Sequence, residues 1–478
     1  MTSSSVRRIA VVGASDLGCS FALAARQAGH DVTLVDEHPQ SLKQMSLDAP
    51  YFYGAAIPAA VLNENAIAQV VLESNPEIFE CFEAEVDVRV GTIAWGAFRN
   101  APNSAHIGTP KLGLVSQDSN KLLEHDVLVL ATGARDFVPS FAGWDLPGVF
   151  GVKAGLALLD IYQCYEGKRT LVLGTSPEAV KFTRSALAAG VEIVGMVEPT
   201  QHFAAGRLAA DEIAGLGVPV LYGRIITAAE GKTAVNGAQL VPTNGSGTVE
   251  GLDCDTICIA IGRLPNIELP AAMGCQLRFD ASVGSWLPET DAGGMTSAAG
   301  VYWLSRFTGG EEQVQAILAS IGGDTVAPAA PAESVARADY LQLWVDTLFQ
   351  TGGSNVMLCQ CEDVTRGAFL GLEPPRYLDG QLRHPQTPVT GRCGVPRIHQ
   401  DQMKRMTRVG MGHCQGKRCR DEAALLLSTR FGIGLESIQP GSYRFPVRPL
   451  DLDLIAAGDE TPEMRENWLY WPAAPENL

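Results

Sequence analysis

What most restricts the fold of this chain is a pattern that occurs twice: apolar strand, glycine turn, helix, second apolar strand with an acidic end. Ile9 to Val12 runs into Gly13-Ala-Ser-Asp-Leu-Gly18, a helix is expected from Phe21 to Ala28, and Val32 to Val35 reads as a strand ending at Asp36 with Glu37 beside it. The order returns at Thr170 to Leu173, the turn from Gly174, a helix through Ala189, and a strand from Val191 to Val197 ending at Glu198. Parallel strands joined by a crossover helix account for this, because strands covered on both faces read as continuous apolar runs. Both copies are expected to be Rossmann-like βαβ units, so the chain is expected to be α/β.

Each unit is followed by an apolar strand that runs into glycine. Val127 to Ala131 precedes Thr132 and Gly133, and Thr256 to Ile261 precedes Gly262. This is the ending of a parallel sheet at a ligand crevice. A further strand, Val301 to Leu304, and a helix, Gln313 to Ser320, are read as the return of the chain to its first sheet. The expected organisation is a discontinuous first nucleotide domain at 1–150 and 265–325, with the second, 151–264, inserted in it. An Ala- and Pro-rich linker follows at 326–338, and a small helical module with an extended tail at 339–478, opening with a helix from Asp339 to Phe349.

Composition serves to exclude. A chain of 478 residues with 46% hydrophobic residues can bury several cores, and a formal charge of -17 repels both a phosphate backbone and an anionic leaflet. Nucleic-acid and membrane roles are therefore not expected. No apolar run reaches the length of a membrane span, and Met1 to Arg8 lacks the apolar stretch of a signal peptide, so a cytoplasmic location is expected.

The two turns depart from the ideal phosphate-binding form. Such a turn needs one glycine for the bend, a second for the approach of the pyrophosphate and a third for helix packing. The first turn has Gly13 and Gly18 but Ser15 at the second place, with Asp16 adding a negative charge; Asp36 and Glu37 remain as acceptors for ribose hydroxyls. In the second, Gly174 is followed by Ser176 and Ala179, and Glu198 is the acidic strand end. These residues speak more firmly for fold than for occupancy, and for the second turn a structural role is preferred over an NAD(P) site.

Eleven cysteines suit a reducing compartment. Cys359 and Cys361 form C-x-C, Cys414 and Cys419 form C-x4-C, and the 52 residues from 362 to 413 separate the pairs. Two such pairs can surround one metal centre. Gly410, Gly412 and Gly416 give the backbone freedom to turn both sulfurs inward, and Lys404, Arg405, Arg408, Lys417, Arg418 and Arg420 make the surroundings basic. A dianionic four-thiolate [2Fe-2S] centre fits this pattern; a structural zinc ion and unliganded thiols are the alternatives. Cys393 is read as a bystander, and Cys254 and Cys258 as packing residues. His413 is read as solvent-facing, with tuning of the centre as its alternative.

On these residues, Cys359-Gln-Cys-Glu-Asp-Val-Thr365 and Lys404-Arg-Met-Thr-Arg-Val-Gly-Met-Gly-His-Cys-Gln-Gly-Lys-Arg-Cys419, the tail resembles the [2Fe-2S] domain of the bacterioferritin-associated ferredoxin type. With the crossover Ala131-Thr-Gly-Ala-Arg-Asp-Phe-Val-Pro-Ser-Phe-Ala-Gly-Trp-Asp-Leu-Pro-Gly148, nearly the whole chain resembles the larger subunits of heteromeric flavin-dependent amino-acid dehydrogenases: opine oxidase, hydrogen cyanide synthase and the sarcosine oxidase alpha type. The resemblance implies two nucleotide domains of the FAD/NAD(P)-disulfide-oxidoreductase type and assigns the cluster ligands to Cys359, Cys361, Cys414 and Cys419. Two departures stand out. The spacer between the cysteine pairs is long and holds Pro374, Pro375, Pro385 and Pro388. Where the family pattern has a Gly-Asp pair after the strand at 301–304, this chain has Ser305 and Arg306. A guanidinium in place of that carboxylate leaves three readings of the first crevice: FAD, a smaller adenine nucleotide such as ATP or ADP whose phosphate meets Arg306, or no ligand.

The sequence contains no G-x-S-x-G elbow, Walker loop or C-x-x-C pair, and no catalytic set is assigned. The resemblance therefore implies an electron-transfer and scaffold subunit of an oxidoreductase acting on the C–N bond of a small amine or amino acid, such as an opine, a proline derivative, a D-amino acid or glycine. The substrate flavin would lie on a smaller, FAD-dependent amino-acid-oxidase-like partner, with an FMN at the subunit interface and room for a small third subunit. The alternatives are a self-sufficient NAD(P)H-dependent flavin reductase that passes electrons through the cluster, and a non-catalytic metal-bearing scaffold.

Overall fold

The computed structural model describes residues 6–38, 75–100, 107–116, 119–201, 207–244, 247–326, 337–373 and 398–456, together with Gln69, Glu73 and Pro375. Most of the linker, Pro374, Pro385, Pro388 and Cys393 lie outside the described residues.

The first repeat forms the centre of a parallel sheet. Strand β1 (Arg8–Val12) pairs with β2 (Asp31–Val35), which pairs with β3 (Asp87–Arg89). On its other side β1 pairs with β4 (Val127–Leu130). Helix α1 (Asp16–Gln27) buries Phe21, Ala22 and Ala25 against this sheet, beside α2 (Pro76–Glu83). It starts earlier than the sequence suggests, so Gly18 lies inside the helix. The reason is steric: a Cβ at Gly18 would run into the carbonyl oxygen of Gly13, and only glycine lets the helix begin so close behind the turn.

The second repeat forms a second parallel sheet, in the order β8 (Val220–Tyr222), β7 (Glu192–Glu198), β6 (Arg169–Leu173), β9 (Thr256–Ile259) and β5 (Val149–Gly151). Helix α3 (Pro177–Ala188) follows the turn at Gly174. The chain crosses between the sheets twice, and the crossings pair as an antiparallel ribbon, Ala134–Asp136 with Arg263–Pro265. Strand β10 (Val301–Trp303) then joins the edge of the first sheet beside β4. It is followed by α4 (Glu311–Gly322), whose Val314 and Ile317 pack in the same core as α1.

Beyond the linker, α5 (Arg337–Gly352) leads to the cysteine segments, a strand pair Met357–Cys359 with Val364–Thr365, a short helix Arg366–Leu370, α6 (Gln400–Thr407) and α7 (Arg420–Phe431). The change of sequence character at the linker suggests a module of its own, but this part shares one hydrophobic cluster with the second sheet. Leu171, Leu173, Val197 and Ile259 are continuous with Trp344, Val345, Leu348 and Leu426. Its far end returns to the first domain: Val447 N–H donates to Trp95 O at 2.9 Å, and the rings of Phe98 and Phe445 meet edge to face at 5.2 Å. Among the described residues no helix is long and apolar enough to cross a membrane.

Candidate functional site

The four cysteines singled out by spacing come together. The Cys359 thiol contacts those of Cys361 and Cys419, and the Cys414 thiol contacts that of Cys361. The sulfurs thus form a chain in the order 414, 361, 359, 419. None of the four is in a disulfide, and Cys361 is the one not fully buried. A Cβ at Gly412 would run into Cys361, so this glycine is what lets the second segment close on the first. Backbone N–H groups of Gly410 toward Cys359, and of Arg418 and Gly416 toward Cys414, point at the sulfurs. For Cys414 the contact with Cys361, and then burial, push the thiol well above its ordinary value. Among the described residues no group of three or more His, Cys, Asp or Glu side chains is arranged to hold a metal ion.

Two of the basic residues near the cysteines, Arg408 and Arg420, are ion-paired. Arg408 Nε donates to Glu362 Oε2 at 2.7 Å. Glu268 receives both Arg420 Nη2, at 3.1 Å, and Arg135 Nη1, at 3.3 Å, and Arg135 Nη2 reaches Asp421 Oδ2 at 2.5 Å. Burial opposes the charge of Glu268, yet Arg135 and Arg420 hold its carboxyl down at about 2. Arg418 lies over the Trp144 ring at 4.1 Å. Arg408 and Arg420 are therefore met by carboxylates distant in the chain. His413 is exposed, while Cys254 and Cys258 are buried in the cores.

A second, fully buried group ties both cysteine segments to the crossover. Arg366, just after the first pair, donates to Glu422 Oε1 from Nε at 3.3 Å and Nη2 at 3.2 Å, and to Leu348 O from Nη1 at 3.0 Å. Its Nη2 also donates to Ser140 O. Glu422, just after the second pair, accepts Ser140 N–H at 2.8 Å and Ser140 Oγ–H at 2.6 Å. Spacing gave no sign of this group, because its members lie on three separate stretches.

In the first crevice, Gly13 has φ +112°, and a Cβ there would run into Ala131 O. Asp36 accepts three bonds: Ala14 N–H at 2.7 Å, His38 N–H at 2.8 Å and His38 Nδ1 at 3.1 Å. Burial raises its pKa, but His38 and the backbone donors outweigh this and hold it below the usual carboxylate value. Glu37 is engaged by Arg448 Nε at 3.0 Å. Ser15 precedes α1 without a side-chain cap bond. Thr132 and Gly133 are clasped by Asn266: Thr132 Oγ1 donates to Asn266 O at 2.8 Å, and Asn266 N–H donates to Gly133 O at 3.1 Å. Arg306 pairs with Asp16 across the turn, both partly exposed. The two charges that are unusual for such a crevice thus compensate each other.

In the second crevice Gly174 has φ +98°, and the Ser176 hydroxyl caps α3 by accepting Ala179 N–H at 3.2 Å. Glu198 is fully buried.

Residues 7–317 match the family model described as pyridine nucleotide-disulphide oxidoreductase, and residues 397–459 match the sarcosine oxidase A3 domain. An opine oxidase subunit of Rhizobium meliloti (strain 1021) is 26% identical over 372 residues, which cover 69% of this chain and 75% of that protein. The corresponding opine oxidase subunit of Agrobacterium tumefaciens (strain Ach5) is 23% identical over 491 residues, covering 93% and 90%. Among solved structures, L-proline dehydrogenase from P. horikoshii superimposes with a TM-score of 0.61 at 19% identity, covering 94% of this chain and 79% of that one. At that identity the likeness concerns the fold.

Proposed function

The chain belongs to the pyridine nucleotide-disulphide oxidoreductase family, and on that premise we propose that it is the larger, electron-transferring subunit of a heteromeric flavin-dependent enzyme that oxidises the C–N bond of a small amine or amino acid. The observation that carries this reading is the convergence of Cys359, Cys361, Cys414 and Cys419 from two distant segments. Its support is the likeness to the Agrobacterium tumefaciens opine oxidase subunit over nearly the full length of both chains.

The four thiols, three of them buried and in pairwise contact, would have to close from this linear arrangement into one group to hold a [2Fe-2S] centre, which would supply one-electron transfer when bound. The work of this chain is to hold the sulfurs. Gly412 admits Cys361, the N–H groups of Gly410 and Gly416 face Cys359 and Cys414, and the Arg366–Glu422–Ser140 group fixes both segments to the crossover. In this reading the substrate flavin lies on a smaller partner subunit, with FMN between the two.

The first crevice is proposed to hold FAD or another adenine nucleotide through Gly13, Ser15, Gly18, Asp36, Glu37, Thr132, Gly133 and Arg306. A carboxylate has about four acceptor positions, and Asp36 uses three, which leaves one for a ribose hydroxyl.

The test is co-expression with a flavin-dependent amino-acid-oxidase-like partner, metal analysis, and paramagnetic resonance after dithionite. The expected result is a two-iron signal, with partner-dependent dye reduction by proline, sarcosine or an opine that Cys361→Ser abolishes. Stoichiometric zinc without iron, or rapid NADH-driven dye reduction by the chain alone, would overturn the reading.

A further inference from the structure

A ribose entering the second crevice needs an acidic acceptor at the end of the second strand, and here that acceptor is full. Glu198 Oε2 accepts Thr175 Oγ1–H at 2.7 Å and Tyr340 O–H at 2.8 Å, while Oε1 accepts Thr200 N–H at 3.1 Å and Thr200 Oγ1–H at 2.9 Å. Those four donors match the capacity of a carboxylate, about four positions. Thr175 belongs to the turn and Glu198 ends β7, so Tyr340 reaches the corner where the adenosine half of a dinucleotide would lie.

The rest of α5 follows its tyrosine in. Leu341 sits against Gly262 and Gly284, where a Cβ built on Gly284 would lie 3.0 Å from its Cδ1. Trp344 is fully buried, with Leu173, Val197 and Ile261 of the second domain in its cluster. At the phosphate end Pro177 has no N–H to offer and Ala179 N–H is taken by Ser176, while Glu178 in the first turn of α3 faces Arg263 Nη1 at 3.9 Å.

We propose that α5 is the built-in occupant of the second dinucleotide crevice, with Tyr340 in the adenosine position, so that this domain seats the cysteine segments and excludes NAD(P)H as an electron donor. The inference rests on Glu198 and Tyr340 and stands whether or not the chain has an amine-oxidising partner.

The full chain is incubated with ADP-ribose, the redox-inert half of NAD, and backbone hydrogen exchange is followed at 174–180 and, to separate the two crevices, at 13–19. Wild type is expected to gain no protection at 174–180. Tyr340→Ala, which vacates the corner and frees one position on Glu198, is expected to bind there on the order of tenfold or more tighter. Tyr340→Phe keeps the ring and should stay closed. Protection of 174–180 in wild type, opening by Tyr340→Phe, or a folded Tyr340→Ala that gains nothing would each overturn the proposal. If the alanine variant fails to fold, Tyr340→Ser is judged by the same outcomes.

Discussion

Replacing Arg366 by Met tests what holds the two cysteine segments together. The guanidinium is completely buried, and its partner Glu422 nearly so. Its loss removes both contacts to Glu422 Oε1 and the donors to Leu348 O and Ser140 O. Glu422 would keep only the two bonds from Ser140, a buried anion without its cation. Breaking such a pair from one side costs about 3–5 kcal/mol. In Arg366→Met/Glu422→Gln no charge is left stranded, so the loss should fall by about 2 kcal/mol relative to the single variant. The assay is hydrogen exchange at Leu425, Leu426 and Leu427 of α7, which reads the local opening free energy, run beside iron content per chain. The single variant should lose protection and metal together, and the double variant should regain part of both. Equal protection in wild type and Arg366→Met, or a double variant as damaged as the single one, would refute the idea that this pair clamps the site.

Three further outcomes follow from the same geometry. Gly412→Ala should leave the circular dichroism spectrum intact but prevent metal loading, because the new methyl collides with Cys361. His125 is buried with both ring nitrogens lacking partners among the described residues, and burial lowers its pKa from 6.5 to about 4. The folded state therefore resists protonation, and His125 contributes stability that is present above pH 6.5 and lost as the pH falls toward 4. The loss amounts to about 3 kcal/mol, and denaturant unfolding of His125→Leu between those values should show that much less acid sensitivity. Arg306→Ala breaks only a partly exposed pair with Asp16, so unfolding midpoints should change by less than about 1 kcal/mol, while the uncompensated Asp16 should weaken any adenine nucleotide bound at 13–19, as read by titration with ADP.

What was legible in the sequence is local. The strands at 8–12 and 169–173 are announced by uninterrupted apolar runs, the turns at Gly13 and Gly174 by glycine where φ is positive, and the cysteine pairs by their spacing. The contacts that decide how these parts act join residues with no common period. Tyr340 and Glu198 are 142 positions apart, Arg366 and Glu422 are 56 apart, and Arg135 and Glu268 are 133 apart. For this reason the basic residues around Cys414 and Cys419 read as an open positive field, when Glu362 and Glu268 answer Arg408 and Arg420. Asp16 and Arg306 were each conspicuous as a charge out of place, and only the fold makes them partners. Glu198 reads only as the acidic end of a strand, because nothing in that strand shows that a tyrosine beyond the linker will claim it.

Domains in one chain are free to shift against each other when the surface between them is small and polar. The cysteine segments do not sit on such a surface. Helix α5 is embedded in the core of the second domain, Ser140 on the crossover bonds both members of the buried pair, and Arg448 reaches Glu37 at the end of the first domain's βαβ unit. These three attachments, on three separate stretches, tie the cysteine segments to both sheets. The proposed passage of single electrons would benefit from this arrangement, since a redox site tuned by its hydrogen bonds and burial keeps its properties only while those surroundings stay fixed. On the proposal that α5 occupies the second crevice, the corner that would otherwise take a ribose instead takes Tyr340.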